Sequence, residues 1–553
     1  MKLFKKLRQN EKFKEKFLPI IVFLIAAIFA TLPYLDSGTI FGHDLVYHLN
    51  RIQSSFDEIE NGNFPVFIHS ELLDGLGYGN PLYYPELFLM IPMIFLKMGF
   101  GLLTSYKLFI LIITFATGLI MYYSAKVIFK DKKVSYFASF LYIFSMYRFI
   151  DVYARAALGE ILAFTFLPLV IAGVYDIVYG ENKRWYLIAF GLFGIMNSHI
   201  LSTLIMLILL IILVVINVNV IFKDKKKVLN ILIAALVSIL MVSSFVLPYL
   251  EQRFSSTVLI DVHKNSAESL EANACGVQEM FDNTIENTDT YTSKGIGILL
   301  LAFPILIILV KDKDKRTEYK FMLQVTFLGY FFVFVSTNLF PWEKAAIFQI
   351  IQFPFRFNML STLLLSLAGA YAFINSSIDK DDLFNVGIIL TCIFAAKYLN
   401  TVKINPHLIT YEILMSGPKI ANGEYKPIEL NVEDNHVYNT NDGGKNRKII
   451  PYKKEKGIVT FKYEDNDYDF DLNVPLTYYK GYCSYIVTED GIKHELDVDK
   501  NTTNGMVVIS SDENYNGTVY VYYQMTPIQK TGYIITILTI VGTMLYIINK
   551  KED

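Results

Sequence analysis

The chain has 553 residues, of which 53% are hydrophobic, 15% aromatic and only 18% charged, and its mean hydropathy is +0.38. That balance excludes an ordinary soluble enzyme, and many apolar stretches of roughly 17–25 residues define a polytopic helical membrane protein. The formal net charge of −2 says little about partners, because the charges are segregated along the chain; no nucleic-acid partner is expected.

The N-terminus, MKLFKKLRQNEKFKEK, is basic and runs into an apolar stretch with no evident cleavage site, which predicts a retained first span. Candidate spans follow at about 17–36, 84–103, 105–129, 134–150, 160–179, 185–199, 200–222, 228–250, 294–310, 319–338, 357–376, 384–399 and 531–548. Lys and Arg concentrate at the N-terminus, in 129–133, 180–184, 222–227 and 311–316, and in the C-terminal KKED. The positive-inside rule assigns all of these to the cytoplasm. That assignment works if 84–103, which carries Glu86, Pro92, Lys97, Gly99 and Gly101, is a re-entrant or surface-lying helix on the outer face. If it spans as well, several basic loops fall outside; the alternative is that one later loop breaks the rule. The expected fold is mostly α: a transmembrane helical bundle of about 12–13 spans over residues 1–400, with outer loops 37–104 and 251–293. Residues 401–530 are too polar for a membrane, and runs such as GTVYVYYQ (517–524) and MVVIS (506–510) predict a β-rich extracytoplasmic domain. Residues 531–553 form a final span and cytoplasmic tail. Cys275, Cys392 and Cys483 have no metal spacing. Cys275 and Cys483 both fall outside, either as free thiols or as a pair.

Chemistry-bearing side chains collect on the outer face. After Phe41 the sequence FGHDLVYHLNRIQSS places Leu45, Leu49, Ile52, Phe56 and Ile59 at helical spacing, with Asp44, His48, Arg51 and Ser55 in a second stripe. This is an amphipathic interfacial helix with a capping Asp, or the wall of a cleft. YGNPLYYPELF (78–88) makes turns and supplies interfacial tyrosines, Tyr84 among them. YRFIDVYARAALGE (147–160) brings Arg148, Asp151, Arg155 and Glu160 to the junction of two spans. An Asp151–Arg155 pair four residues apart accounts for two of them; ionisable groups at membrane depth otherwise imply a partner or a function. His199, in MNSHILS, caps a helix or reaches a site. Arg356, in QFPFRFN, snorkels to headgroups or binds a phosphate. Together these residues offer carboxylates for general base work or a divalent metal, and arginines for a phosphate leaving group. A cleft at the lipid boundary suits transfer from a lipid-linked phosphate donor to a hydroxyl or amine.

On GHDLVYHLNRI, YGNPLYYPEL, YRFIDVYARAALGEILAFTFLPL, NSHILS, FPFRF, GEYKP (423–427) and PLTYYKGY (475–482), the chain resembles a bacterial membrane family described as related to 6-pyruvoyl-tetrahydropterin synthase. That family is close to the YfhO-like proteins and falls within the GT-C glycosyltransferases. The pterin enzyme in the label is soluble, and no pterin chemistry is expected. The resemblance implies a sugar donor on polyprenyl phosphate, inversion at the anomeric carbon, and Asp44 as base or metal ligand. Glu160 stands where related enzymes carry a second acidic motif, but without their paired acidic pattern, so no metal is assigned; Asp44 and Glu160 are the candidate ligands. The expected roles are Asp44, His48 and Glu160 in catalysis, Arg148, Arg155 and Arg356 on the donor phosphate, and Arg51, Tyr84, Asp151 and His199 in positioning substrate. Expected partners are a polyprenyl-phosphate sugar, a cell-envelope glycopolymer or protein acceptor, and membrane lipid. The location is the bacterial plasma membrane, N-terminus cytoplasmic. The rival expectation is a non-catalytic scaffold or a transporter for lipid-linked glycan.

Overall fold

A computed structural model describes residues 11–35, 39–262, 266–281, 293–310, 313, 317–376, 379–404, 408–409, 420, 423–433, 435–440, 449–464 and 470–550. The basic residues 1–10, most of 311–316 and 551–553, and part of the 251–293 loop lie outside these. The described chain is mostly helical, with one large β sheet near its C-terminal end. It divides into two compact units. The first takes 1–48, 90–239 and 265–416; the second takes 49–89, 240–264 and 417–553.

Among the described residues six helices are long and apolar enough to cross a membrane: Leu102–Phe129, Leu158–Val178, Thr317–Ser336, Pro354–Asn375, Lys380–Ile404 and Pro527–Asn549. Lys225–Met241 and Ser243–Ser255 add a seventh if they form one span. Several other apolar runs form shorter helices because the backbone breaks inside them. The run 185–199 is helical only over Tyr186–Met196 before a turn at Asn197–His199. In 294–310 the helix Ile298–Ala302 tightens into a 3₁₀ segment, Phe303–Leu309, at Pro304. The 84–103 segment yields the apolar helix Leu87–Lys97, about 16 Å long at 1.5 Å per residue and too short for a core of about 30 Å.

In the first unit Pro354–Asn375 is the central helix, its apolar window wholly buried, whereas only 28% of the Lys380–Ile404 window is buried. The latter turns Val386, Ile389 and Ile393 outward, as a helix in contact with lipid does. Leu158–Val178 packs so closely on Tyr186–Met196 that a Cβ added at Gly191 would meet Val170 Cγ2 at 2.5 Å.

The second unit holds an eight-stranded antiparallel sheet: β1 Tyr438–Asn439, β2 Tyr452–Glu455, β3 Ile458–Tyr463, β4 Phe470–Thr477, β5 Tyr482–Thr488, β6 Lys493–Lys500, β7 Met506–Ser511 and β8 Gly517–Tyr523. Their order is β1-β4-β7-β6-β5-β8-β3-β2. Period-two patterning sets the faces: Val519 and Val521 of β8 are buried, while the alternating Thr518, Tyr520 and Tyr522 are half-buried. Phe67, Ile68, Leu72, Tyr78, Leu82 and Tyr83 share one core with the inward residues of the sheet. The 49–89 stretch therefore folds with the sheet. The helix Pro527–Asn549 starts at a capping box of Thr526 and Gln529. It packs on Ser243–Ser255, where Thr536 Oγ1 accepts from the Ser244 N–H at 2.8 Å. Cys275, Cys392 and Cys483 form no disulfide with one another, so Cys275 and Cys483 are not joined as a pair.

Candidate functional site

The site in the first unit is made by an irregular turn. The helix Lys132–Ile143 stops, Met146–Phe149 makes one α-helical turn, and Ile150–Arg155 continues as a π-helix. Ala156 then takes a left-handed conformation (φ 50°) and Leu158–Val178 begins. A π-turn widens the backbone and is frequent at functional sites. Here it aims Asp151 and Arg155 at the first turn of the next helix, which carries Glu160. Two backbone bonds fasten the 42–44 turn to this bend: His43 N–H donates to Ala154 C=O at 3.1 Å and Asp44 N–H to Arg155 C=O at 2.8 Å. Gly42 is required at the contact, because a Cβ there would meet Ala156 Cβ at 2.5 Å. Asp44 is thereby set beside Arg155 by main chain alone.

Glu160, 2% exposed, is the hub. Arg155 grips it with two bonds, Nη1 to Oε2 at 2.9 Å and Nη2 to Oε1 at 2.7 Å. Arg356 Nε donates to Oε1 at 2.8 Å and the Tyr147 hydroxyl to Oε2 at 3.2 Å. Such forked, charge-assisted bonding fixes both guanidinium planes. Arg155 Nη1 also reaches Asp151 Oδ1 at 2.5 Å. Arg356 Nη1 donates to Ile351 C=O at 2.9 Å and to Gln352 Oε1 at 2.8 Å. The guanidinium groups lie over aromatic rings, Arg155 at 5.0 Å from the Phe355 centroid and Arg356 at 4.9 Å from that of Phe353.

Asp44 differs from the other carboxylates. It is exposed, and its carboxylate takes no hydrogen bond from a described residue. It still sits in the field of Arg155, Arg356, Glu160 and His43. Although the side chain is exposed, the protein crowding it displaces enough water to push its carboxyl above the usual Asp range, with Arg155 and Arg356 offsetting part of that rise.

The structure thus brings Asp44, Asp151, Arg155, Glu160 and Arg356 into one cluster and adds Tyr147 and Gln352. His199 is the N-cap of Ile200–Ile216, with Nδ1 2.8 Å from Ser202 Oγ, and it lies in electrostatic reach of Glu160. Arg148 bonds away from the cluster: it is 1% exposed and its guanidinium donates to Thr114 Oγ1 at 2.9 Å. His48 is buried on the helix Leu45–Glu60, its ring 5.2 Å from that of Tyr47.

Arg51 and Tyr84 belong to the second unit. Arg51 lies over the Tyr84 ring at 4.1 Å and donates to Glu86 Oε1 at 3.1 Å and Pro85 C=O at 2.8 Å. Glu86 also accepts from Asn80 at 2.9 Å and from Ser55 Oγ at 2.5 Å, and Ser55 Oγ lies 2.8 Å from His69 Nε2. Burial opposes ionisation of Glu86, but His69, Arg51 and Ser55 outweigh it and hold the carboxyl down at about 2. His69, Glu86 and Tyr147 are members of these networks that motif reading did not single out. Glu86 was visible as a lone acid in an apolar run, and Tyr147 heads the charged stretch itself.

A divalent metal does not suit the Asp44–Glu160 pair. Both oxygens of Glu160 are taken by guanidinium donors, and a cation there would face Arg155 and Arg356. Among the described residues no three His, Cys, Asp or Glu side chains are grouped as metal ligands. The cluster's chemistry, two guanidinium groups beside the exposed Asp44 carboxylate, is instead that of an anion site next to a base.

No family model matches the chain. It is similar to an uncharacterized protein of Lactococcus lactis subsp. cremoris (strain MG1363), at 25% identity across 98% of this chain and 97% of that protein.

Proposed function

We propose that the protein is an integral-membrane glycosyltransferase of the GT-C kind, moving a sugar from a polyprenyl-phosphate donor to a cell-envelope acceptor on the outer face of the bacterial plasma membrane. One observation carries this reading: Asp44, an exposed carboxylate with no hydrogen bond from a described residue and made more basic by its surroundings, is pinned beside two arginines already oriented by a buried glutamate. In the reaction, Asp44 takes the proton of the acceptor hydroxyl. The freed oxygen attacks the anomeric carbon, and the bond from that carbon to the phosphate oxygen breaks, its electron pair leaving on the lipid phosphate. Arg155 and Arg356 stabilise the charge that develops there. Inversion follows from attack opposite the leaving group.

The membrane reading is supported by the six long apolar helices and the outward-facing isoleucines of Lys380–Ile404. The charge pattern puts 129–133 in the cytoplasm and Asp44 outside, with the sheet extracytoplasmic, where it recognises the acceptor polymer. Cysteine introduced at position 44 is labelled from outside intact cells under this topology, and at position 132 it is not; the reverse result inverts the protein. The experiment that tests the activity is sugar transfer by the purified protein in detergent, with a polyprenyl-phosphate sugar and envelope polymer. A scaffold or transporter gives no transfer.

A further inference from the structure

The mechanism leaves one ionisable group of the cluster unused. Asp151 is 0% exposed, and its side chain has a single partner among the described residues, Arg155 Nη1. Its second oxygen, Oδ2, is buried with no hydrogen-bond partner among the described residues. Glu160, by contrast, keeps Arg356 and Tyr147 whatever Arg155 does. The groups in electrostatic contact with Asp151 are Arg155, Glu160, Arg356, Arg148, Tyr147 and Tyr398. Two buried carboxylates, Asp151 and Glu160, therefore face the two site arginines, and with both acids ionised the centre is balanced before any anion arrives. An anion that takes donors from Arg155 removes the one bond Asp151 has. A fully buried carboxylate without a partner does not stay ionised.

We propose that Asp151 is the charge-matching residue of the site: it holds a proton while an anion lies against Arg155 and Arg356, so that anion binding is coupled to uptake of one proton from water. This rests on the phosphate reading above and adds the proton to it. Burial, and then the Glu160 charge, already push the Asp151 carboxyl well above the usual Asp range, which brings the coupling toward physiological pH. The sign follows. Below the raised value both free and bound sites carry the proton, and affinity is flat. Above it binding must draw a proton in, and affinity falls about tenfold per pH unit. Asp151 is a positioning residue here, because it acts through Arg155.

The test uses full-length protein in detergent and methyl farnesyl phosphate, a diester whose single charge does not change over the range. Its affinity is measured against pH, and the protons taken up per bound probe are measured by calorimetry in two buffers of different ionisation heat. The expected result is a falling affinity at higher pH with on the order of one proton taken up. The slope is absent in Asp151→Asn, whose amide oxygen still accepts from Arg155, and persists in Asp44→Asn. Binding with no slope and no proton uptake in the natural protein, or a slope unchanged in Asp151→Asn, overturns the coupling and leaves the phosphate site standing. No binding at any pH overturns both. The buffer experiment needs only the natural protein, so the result does not depend on whether a variant folds.

Discussion

Replacing Glu160 by Ala removes the acceptor of four hydrogen bonds, three of them from guanidinium groups at 2.7 to 2.9 Å and one from Tyr147. Arg155 and Arg356 are each 7% exposed, so they cannot recover hydration where they stand. Breaking a buried ion pair by deleting one partner costs about 3–5 kcal/mol, because the other charge is stranded. Here two cations are stranded, although Arg155 keeps Asp151 and Arg356 keeps Gln352 and a carbonyl, which puts Glu160→Ala near the top of that range, about 4–5 kcal/mol. Glu160→Gln keeps the shape and one carbonyl acceptor but loses the charge, and should cost roughly half as much. The assay is thermal unfolding of the purified protein in detergent, followed by monodispersity. A fall of about 4 °C is expected for Glu160→Ala, with Glu160→Gln between it and the natural protein. If Glu160→Ala unfolds at the natural temperature, Glu160 is not the hub that fixes the two arginines, and the site as described is wrong.

Gly42→Ala forces a Cβ against Ala156 at 2.5 Å; overpacking of this kind costs about 1–3 kcal/mol. It should also impair transfer by shifting Asp44, read as a lower kcat with a smaller change in KM. The raised Asp44 carboxyl makes the base more easily protonated, so transfer should fall with decreasing pH at a midpoint above the usual Asp value of about 3.9, and a midpoint at or below it would remove Asp44 as the base. Glu86 titrates the other way. Its folded value is depressed to about 2, so the stability it contributes is fully present above the unfolded value near 4.3 and is lost as pH falls from there toward 2, about 3 kcal/mol in all. Acid unfolding followed by the tyrosines of the second unit should show this loss, and Glu86→Gln should abolish that part of the pH dependence.

What could be read from the residues depended on how local the physics was. The charged run 147–160 announced itself because ionisable groups between apolar spans need partners, and the Asp151–Arg155 pair is a four-residue neighbour on one turn. The bond between Arg356 and Glu160 joins residues 196 apart, and nothing in either local pattern names the other. Arg148 looked equivalent to Arg155, but it sits in the α-helical turn ahead of the π-segment and donates to Thr114; periodicity at 100° per residue cannot be carried from one to the other across the point where the helix widens. Arg51 was expected beside Asp44 on one helical stripe, yet its partner is Glu86, supplied by a segment that packs with the sheet. Hydropathy measured the apolar runs correctly and missed where they break, since a proline in the Phe303–Leu309 segment or an Asn-Ser-His turn leaves the average high while ending the helix. The β strands of 506–510 and 517–524 were legible because alternation on a half-buried sheet is a period-two signal.

The central claim is that Asp44 is the base. Asp44 is exposed and takes no hydrogen bond from a described residue, so Asp44→Asn should leave expression and unfolding temperature within about 0.5 kcal/mol of the natural protein. The decisive measurement is transfer from a polyprenyl-phosphate sugar to envelope polymer in membranes carrying equal amounts of the two proteins. The account predicts a loss of at least about 100-fold in Asp44→Asn. Transfer at the natural rate in that variant would contradict it.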